Sequence, residues 1–269
     1  MRDMSTGRVL IVAGSDSGGG AGIQADIKTV TALGGFAMTA ISALTAQNTE
    51  GVHGIHEVPA EFVAEQMRVV LEDIGADCIK IGMIHRVEII NAVADALDHY
   101  GHGIPLVVDT VMVAKGGAKL LVDDAVGVLK SRLISRADLI TPNIPEAEAL
   151  SGMPIETAEQ AAAAGHQMMA LGPGSVLMKG GHLEGPQVID LLIEDNDETR
   201  FVSPRLETRH THGTGCTLAS ACAVGVAQGL SVHDAVARAR DYVFEAIRTA
   251  PGLGRGHGPL NHGHPLPSR

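Results

Sequence analysis

Tryptophan is absent from this chain and aromatic residues supply only 2% of it, although 45% of the residues are hydrophobic. The core must therefore be built from Ala, Val, Ile and Leu, a composition suited to helices packed on a buried parallel sheet. Positive charge is also scarce, and the formal net charge is −11. Polyanion binding needs Lys and Arg in excess on one face, which excludes nucleic acid and an anionic membrane as partners. A small anionic ligand stays open wherever a site is locally positive. There are three cysteines, Cys78, Cys216 and Cys222, with no CxxC pair, which reads as reduced thiols in a cytoplasmic protein. No long apolar run exists either: "MRDMSTGRVLIVAG" breaks at Gly14 and Asp16, too early for a secretory h-region or a membrane span. The thirteen histidines contain no H-E-x-x-H, and only the tail stretch "GHGPLNHGH" is clustered, with metal binding or disorder as its alternatives.

What is present is a rhythm. The stretches "RVLIVAG", "GFAMTAISAL", "DCIKIGMI", "PLVVDTVM", "ADLITPN" and "GSVLMKGG" are short apolar runs ending in turn residues, as buried strands are. Between them "AGIQADIKTVTALGG", "AEFVAEQMRVVLEDIG", "RVEIINAVADALDHYG", "VDDAVGVLKSRL" and "TAEQAAAAGHQMMALG" carry apolar residues three and four apart, and two more such patterns, "TLASACAVGVAQG" and "SVHDAVARARDYVFEAIR", follow later. The alternation predicts a three-layer α/β/α architecture with a mostly parallel central sheet. "GPQVIDLLIEDNDETRFVSPRLE" breaks it and predicts an antiparallel edge hairpin turning at "EDNDE". With no repeat and no linker, residues 1–269 read as one domain, and the Gly, Pro and His tail reads as irregular. Ligands of such sheets sit beyond the carboxyl ends of the strands, so residues after each apolar run are the candidates.

Two glycine-rich loops stand there. "AGSDSGGGAGIQAD" fails G-x-G-x-x-G and lacks a Gly-Lys-Ser/Thr, which removes a dinucleotide or Walker-type loop and with it a nicotinamide oxidoreductase. It is a tight turn, or a loop from which the Asp26 carboxylate, a turn into the helix, reaches a ligand. In "THGTGCTLASACAVG", Gly213, Thr214 and Gly215 precede a helical pattern, so free amides and a helix start converge as an anion cradle. Cys216 falls in the first turn, where the dipole is expected to lower its thiol from about 8.5 toward neutrality and make it a base or nucleophile; the alternative is a small buried hydrophobe. Cys78 and Cys222 read as core. Asp109 ends an apolar run, where a lone charge needs a cation or donors. Asn143 and Glu146 have capping-box spacing, with Pro145 in the first turn. Lys179 could be a point charge for phosphate or simply solvated, Gln47 could read a heterocycle's edge, and Met83 could pack on a flat ring or belong to the core.

Taken in order, "AGSDSGGGAGIQADIKT", "ALTAQNTEGV", "KIGMI", "VVDTVMVAKGG", "LITPNIPEAEAL", "VLMKGGH", "THGTGCTLASA" and "GHGPLNH" closely resemble the hydroxymethylpyrimidine/phosphomethylpyrimidine kinases of thiamine biosynthesis, members of the ribokinase-like superfamily. The resemblance runs from about Val9 to His262. It implies ATP-dependent phosphorylation of 4-amino-5-hydroxymethyl-2-methylpyrimidine to its monophosphate and then its diphosphate, with Mg²⁺, in a homodimer. By the same resemblance Gly14, Asp26, Gln47 and Met83 line the pyrimidine pocket, and Asp109 and Glu146 lie by the metal. Lys179 lies by the phosphate chain, Gly213, Thr214 and Gly215 at the transferring group, and Cys216 where most superfamily members have an aspartate base. Ser17, Gly18 and Gly116 depart from common family residues. The rival readings are a pyridoxal kinase of the same framework and a non-catalytic binding sensor, the latter disfavoured by the joint presence of Asp109, Glu146, Lys179 and Cys216.

Overall fold

The computed structural model describes residues 6–112, 124–195 and 197–267. Strand β1 (Arg8–Asp16) sits inside a nine-stranded sheet, flanked by β2 (Phe36–Asn48) and β4 (Cys78–Ile81). Beyond β2 lies β3 (Gly51–Glu57), and beyond β4 follow β5 (Leu106–Val108), β6 (Leu139–Ile140), β7 (Ser175–Met178), β8 (Gln187–Glu194) and β9 (Asp197–Pro204). The six adjacent strands β2, β1, β4, β5, β6 and β7 pair in parallel, and β8–β9 adds the expected antiparallel hairpin. A second antiparallel edge, β2 with β3, was not expected: β2 runs on to Asn48 and turns back through "TEGV". The exposed face of that hairpin has no long apolar run to mark it.

Eight helices flank the sheet among the described residues: α1 (Gly22–Ala32), α2 (Ala60–Asp73), α3 (Val87–Tyr100), α4 (Ala125–Arg132), α5 (Ile144–Ser151), α6 (Ala158–Met169), α7 (Thr214–Ala227) and α8 (Val232–Arg248). The start of the pattern predicted over 122–133, and Gly116, lie outside the described residues.

The strands look uniformly apolar because both faces are covered, but their side chains still alternate. Leu10, Val12, Ile79, Ile81, Leu106, Val108, Val176 and Met178 join the core built with α2 to α6. Val9, Ile11, Cys78, Val107, Leu139 and Leu177 join the other, with α1, α7 and α8. Each fully buried Val, Leu or Ile contributes roughly 1.5–3 kcal/mol. Alternation then dictates the site. Lys80, Asp109, Thr141 and Lys179 each stand two residues beyond Cys78, Val107, Leu139 and Leu177, so all four point toward α7 at the carboxyl end of the sheet.

Residues 252–267 of the tail have neither helix nor strand, as expected, but they are ordered. Leu260 and His262 are buried, the Tyr242 hydroxyl donates to the His262 carbonyl at 2.7 Å, and Asn261 donates its amide to Ala246 at 2.9 Å. A compositional reading misses this because the tail's order comes from contacts with distant segments: α7, α8, the β2–β3 turn at Thr49 and the loop before α7. No cluster of three or more His, Cys, Asp or Glu able to hold a metal exists among the described residues.

Candidate active site

A cavity of about 1070 Å³ opens above the carboxyl ends of the parallel strands. Gly14, Gln47, Met83, Asp109, Glu146, Lys179, Gly213, Thr214, Gly215 and Cys216 all border it. At one end the Gly14 backbone lies against Met83, since a Cβ there would meet the Met83 methyl carbon at 2.3 Å. Gln47 stands beside them, its amide oxygen 3.1 Å from the Thr45 hydroxyl and its nitrogen 3.4 Å from the His212 ring.

Asp16, which sequence reasoning passed over, organises the first glycine loop. Its carboxylate accepts amide hydrogens from Gly18 (2.8 Å), Gly20 (3.1 Å) and Ala21 (2.8 Å) and meets His212 Nε2 at 2.8 Å. Burial alone would raise this carboxyl, yet His212 and the amides together hold it below the usual range. Nothing local in sequence signals a partner 196 residues away. The contacts of Ser17 and Gly18 are now defined: the Ser17 hydroxyl donates to the Gln47 carbonyl at 2.9 Å, and Gly18 is one of the amides on Asp16.

The second loop is shaped by its glycines. Gly213 has φ +82°, and a Cβ there would fall 1.8 Å from the Gly20 carbonyl oxygen, so this backbone position accepts only glycine. The tight approach fixes the start of α7, whose first-turn amides lack intrahelical acceptors and carry the positive end of the dipole. A Cβ on Gly215 would lie 3.3 Å from Lys179 Nζ and 3.7 Å from Asp109 Oδ2, which puts the cradle against that ion pair.

Lys179 Nζ donates to Asp109 Oδ1 at 3.0 Å and lies 3.7 Å from Glu146. Burial works against the ammonium, but the two carboxylates outweigh it and hold Lys179 charged. The carboxylates split: Lys179 and Lys80 keep Asp109 ionised in spite of burial, while burial pushes Glu146 up and the Asp109 charge adds to this. Glu146 also completes the capping box expected from its spacing, accepting from the Asn143 amide (2.9 Å) while Asn143 accepts from its own (2.9 Å). Structure and chemistry share this residue.

Two expectations are corrected. Asp26 does not reach the cavity wall: it is fully buried on α1, with Lys80 Nζ at 3.0 and 3.1 Å and the Ser220 hydroxyl at 2.7 Å. It is Lys80 that borders the cavity in its place. A Lys inside the apolar strand "CIKI" was a signal of the same kind as Asp109, a charge demanding a partner. The Cys216 thiol is not lowered either. The sulfur borders the cavity and accepts from the Gly22 backbone, but burial pushes it up to about 12; Lys80 opposes this, and Asp26 and Asp109 reinforce it. One helix terminus does not outweigh desolvation beside two carboxylates. Cys78 and Cys222 are fully buried core, as expected.

Away from Gly14 and Met83 the cavity is walled by the apolar residues Val188, Pro204, Leu206, Val243, Phe244 and Ile247 from the hairpin and α8, its far end. A cation, a glycine-bounded helix start, two carboxylates of opposite tendency and a cavity of this volume together suit group transfer between two small molecules.

Comparison with known proteins agrees with this chemistry. The family model described as phosphomethylpyrimidine kinase matches residues 16–261. The hydroxymethylpyrimidine/phosphomethylpyrimidine kinase of Bacillus subtilis is 47% identical, over 96% of this chain and 96% of that protein. The thiamine biosynthesis bifunctional protein ThiED of Geobacter sulfurreducens is 54% identical over 95% of this chain, which spans 52% of that longer protein. Among solved structures, an ADP complex of Bacillus subtilis pyridoxal kinase superposes with a TM-score of 0.89 at 32% identity, covering 96% of this chain and 98% of that one. The chain is a kinase of ribokinase-like fold, and it belongs to the phosphomethylpyrimidine kinase family.

Proposed function

We propose that the protein transfers the terminal phosphoryl group of ATP to the hydroxymethyl group of 4-amino-5-hydroxymethyl-2-methylpyrimidine, and then a second one to the monophosphate, in thiamine biosynthesis. The observation that carries this reading is the junction at Gly215, where the start of α7 meets the Asp109–Lys179 pair in the same cavity that Gly14, Gln47, Met83 and the apolar far end line. Gly14 and Met83 form a floor for a flat ring, and the Gln47 amide offers it a donor and an acceptor. ATP occupies the far end, its phosphates reaching Lys179 and the amides of Gly213, Thr214 and Gly215.

These groups act by position and charge. Phosphoryl transfer depends mainly on alignment and neutralisation of the phosphate oxygens, which the α7 amides and Lys179 provide. The resting Cys216 thiol first releases its own proton to solvent in the cavity, and the thiolate, favoured by the neighbouring Lys80 cation, then accepts the hydroxyl proton at Sγ as the hydroxyl oxygen bonds to phosphorus. A general base supplies ~10²–10⁴-fold, so its share is the smaller one. Mg²⁺ fits here: Asp109 Oδ2 is buried with no hydrogen-bond partner among the described residues, and Glu146 adds a second hard oxygen donor. When bound, the ion neutralises phosphate charge.

The proposal includes one catalytic domain, supported by the unbroken nine-stranded sheet, and a cytoplasmic setting, supported by three free thiols. It includes a homodimer, supported by the exposed apolar side chains of Leu44 and Ile55 on the β2–β3 edge hairpin. No helix among the described residues is long and apolar enough to cross a membrane. The likeness to a pyridoxal kinase favours one second reading, phosphorylation of pyridoxal.

The test is ADP release measured with hydroxymethylpyrimidine, its monophosphate and pyridoxal offered separately, alongside Cys216→Ala. Turnover of both pyrimidines is expected, with Cys216→Ala losing most of it while keeping ATP and pyrimidine affinity. Turnover of pyridoxal alone would replace the first reading with the second, and equally weakened binding would make Cys216 structural.

A further inference from the structure

Past Met178 the β7 chain leaves its ladder with β8. The last paired residues are Met178 and Leu191, and the Lys179 amide then turns to the Pro142 carbonyl at 2.8 Å. Gly180 is pressed onto β8 so closely that a Cβ would lie 1.8 Å from the Ile189 carbonyl oxygen. Its buried amide is caught by a side chain in place of a ladder carbonyl: Asp190 Oδ1 accepts it at 2.7 Å.

The other Asp190 oxygen accepts from Arg240 Nε of α8 at 2.7 Å, and Arg240 Nη2 reaches the Ser203 hydroxyl of β9 at 3.2 Å. The guanidinium stacks 5.4 Å from the centre of the Phe201 ring. Both charged side chains are about nine-tenths buried, yet Asp190, Ser203, Arg240 and Gly181 all border the cavity at its far end. A bare carboxylate facing that region would repel a polyphosphate, and Arg240 neutralises it.

We infer that Asp190 and Arg240 are positioning residues for the nucleotide: Asp190 holds the Lys179–Gly180 backbone by its amide, and Arg240 holds and masks Asp190. The pair ties the edge hairpin, α8 and the strand end that carries Lys179 into one unit. Its function is to aim Lys179 at the phosphates while the pyrimidine end, built from other strands, is left alone. This rests on the reading that ATP occupies the far end.

The experiment measures KM for ATP, KM for hydroxymethylpyrimidine and kcat for Asp190→Ala, Asp190→Asn and Arg240→Met, with ATP affinity taken separately by calorimetry. Losing the charge-assisted bond to Gly180 in Asp190→Ala raises KM for ATP about tenfold or more, with KM for the pyrimidine within about twofold. Asp190→Asn keeps an oxygen for the Gly180 amide and retains most of the affinity, whereas a further variant, Asp190→Leu, fills the space without an oxygen and weakens ATP like Asp190→Ala, which a purely volumetric role would not give. Arg240→Met exposes the unmasked carboxylate and weakens ATP like Asp190→Ala. If Asp190→Ala fails to fold, Asp190→Asn against Arg240→Met decides: the second must weaken ATP more than the first. Equal changes in both substrates, or unchanged ATP affinity in a folded variant, overturn the inference. A wild-type protein that binds no ATP overturns the parent reading instead.

Discussion

Lys80 is fully buried in the middle of a strand, and replacing it with methionine keeps its length while deleting its charge. In the native protein the Asp26 carboxylate receives Lys80 on both oxygens and Ser220 on one. After Lys80→Met only the Ser220 bond remains for a carboxylate without solvent contact. Breaking one side of such a buried pair costs about 3–5 kcal/mol, a large share of the roughly 5–15 kcal/mol that separates folded from unfolded domains. In urea this lowers the unfolding midpoint by about 1–2 M at a slope of about 3 kcal/mol/M, the upper end of the usual range, where a chain of this size belongs. The double variant Asp26→Asn/Lys80→Met leaves neither charge uncompensated and keeps an oxygen for Ser220, so most of the loss returns. The same substitution has a chemical readout. Lys80 is the main influence opposing the rise of the Cys216 thiol, so its removal pushes that thiol higher still and slows alkylation of Cys216, mapped by mass spectrometry, at a fixed alkaline pH. A single variant that loses under about 1 kcal/mol, or a double variant as unstable as the single, would refute the argument that the pair is mutually dependent.

Three further expectations concern other parts of the molecule. Burial lowers His262 to about 4, so the unfolded chain binds a proton that the folded chain refuses, and stability falls as pH drops from about 6.5. Thermal melts should show up to about 2 kcal/mol lost between about pH 6.5 and 5, and His262→Gln should flatten that slope. Gly213→Ala forces a side chain onto the Gly20 carbonyl and displaces the cradle; kcat/KM should fall about 10²-fold or more, and near-normal turnover would show that the cradle is not at the reacting group. Lys179→Gln keeps a donor but removes the charge, and should cost about 10²-fold in kcat/KM, expressed as a raised ATP requirement or slower transfer. Unchanged kinetics would remove Lys179 from the reaction.

The strands and helices of the parallel core were legible because each carries its own signal: apolar runs ending in turn residues, and apolar spacing at three and four. The β2–β3 edge was not, since its outer face mixes His, Glu and Gly with single apolar residues. Within the site, Asp109 and Lys179 were legible as charges at strand ends, Asn143 and Glu146 by spacing, and Gly213 and Gly215 as a cradle ahead of a helix. Lys80 carried the same signal as Asp109 and was overlooked. Asp16 with His212, and Asp190 with Arg240, had no local mark, because the partners are 196 and 50 residues apart.

By itself, then, the amino-acid order determined the layer architecture, the glycines where backbone comes close, and the family, since all of these depend on local period and local residue type. Tertiary packing alone decided the charge states and the allegiances of the buried groups. It turned Asp26 from a ligand contact into the partner of Lys80 and kept the Cys216 thiol protonated. The physical reason is that desolvation and Coulomb energy depend on which distant segments surround a group, and that neighbourhood exists only after the chain has closed on itself.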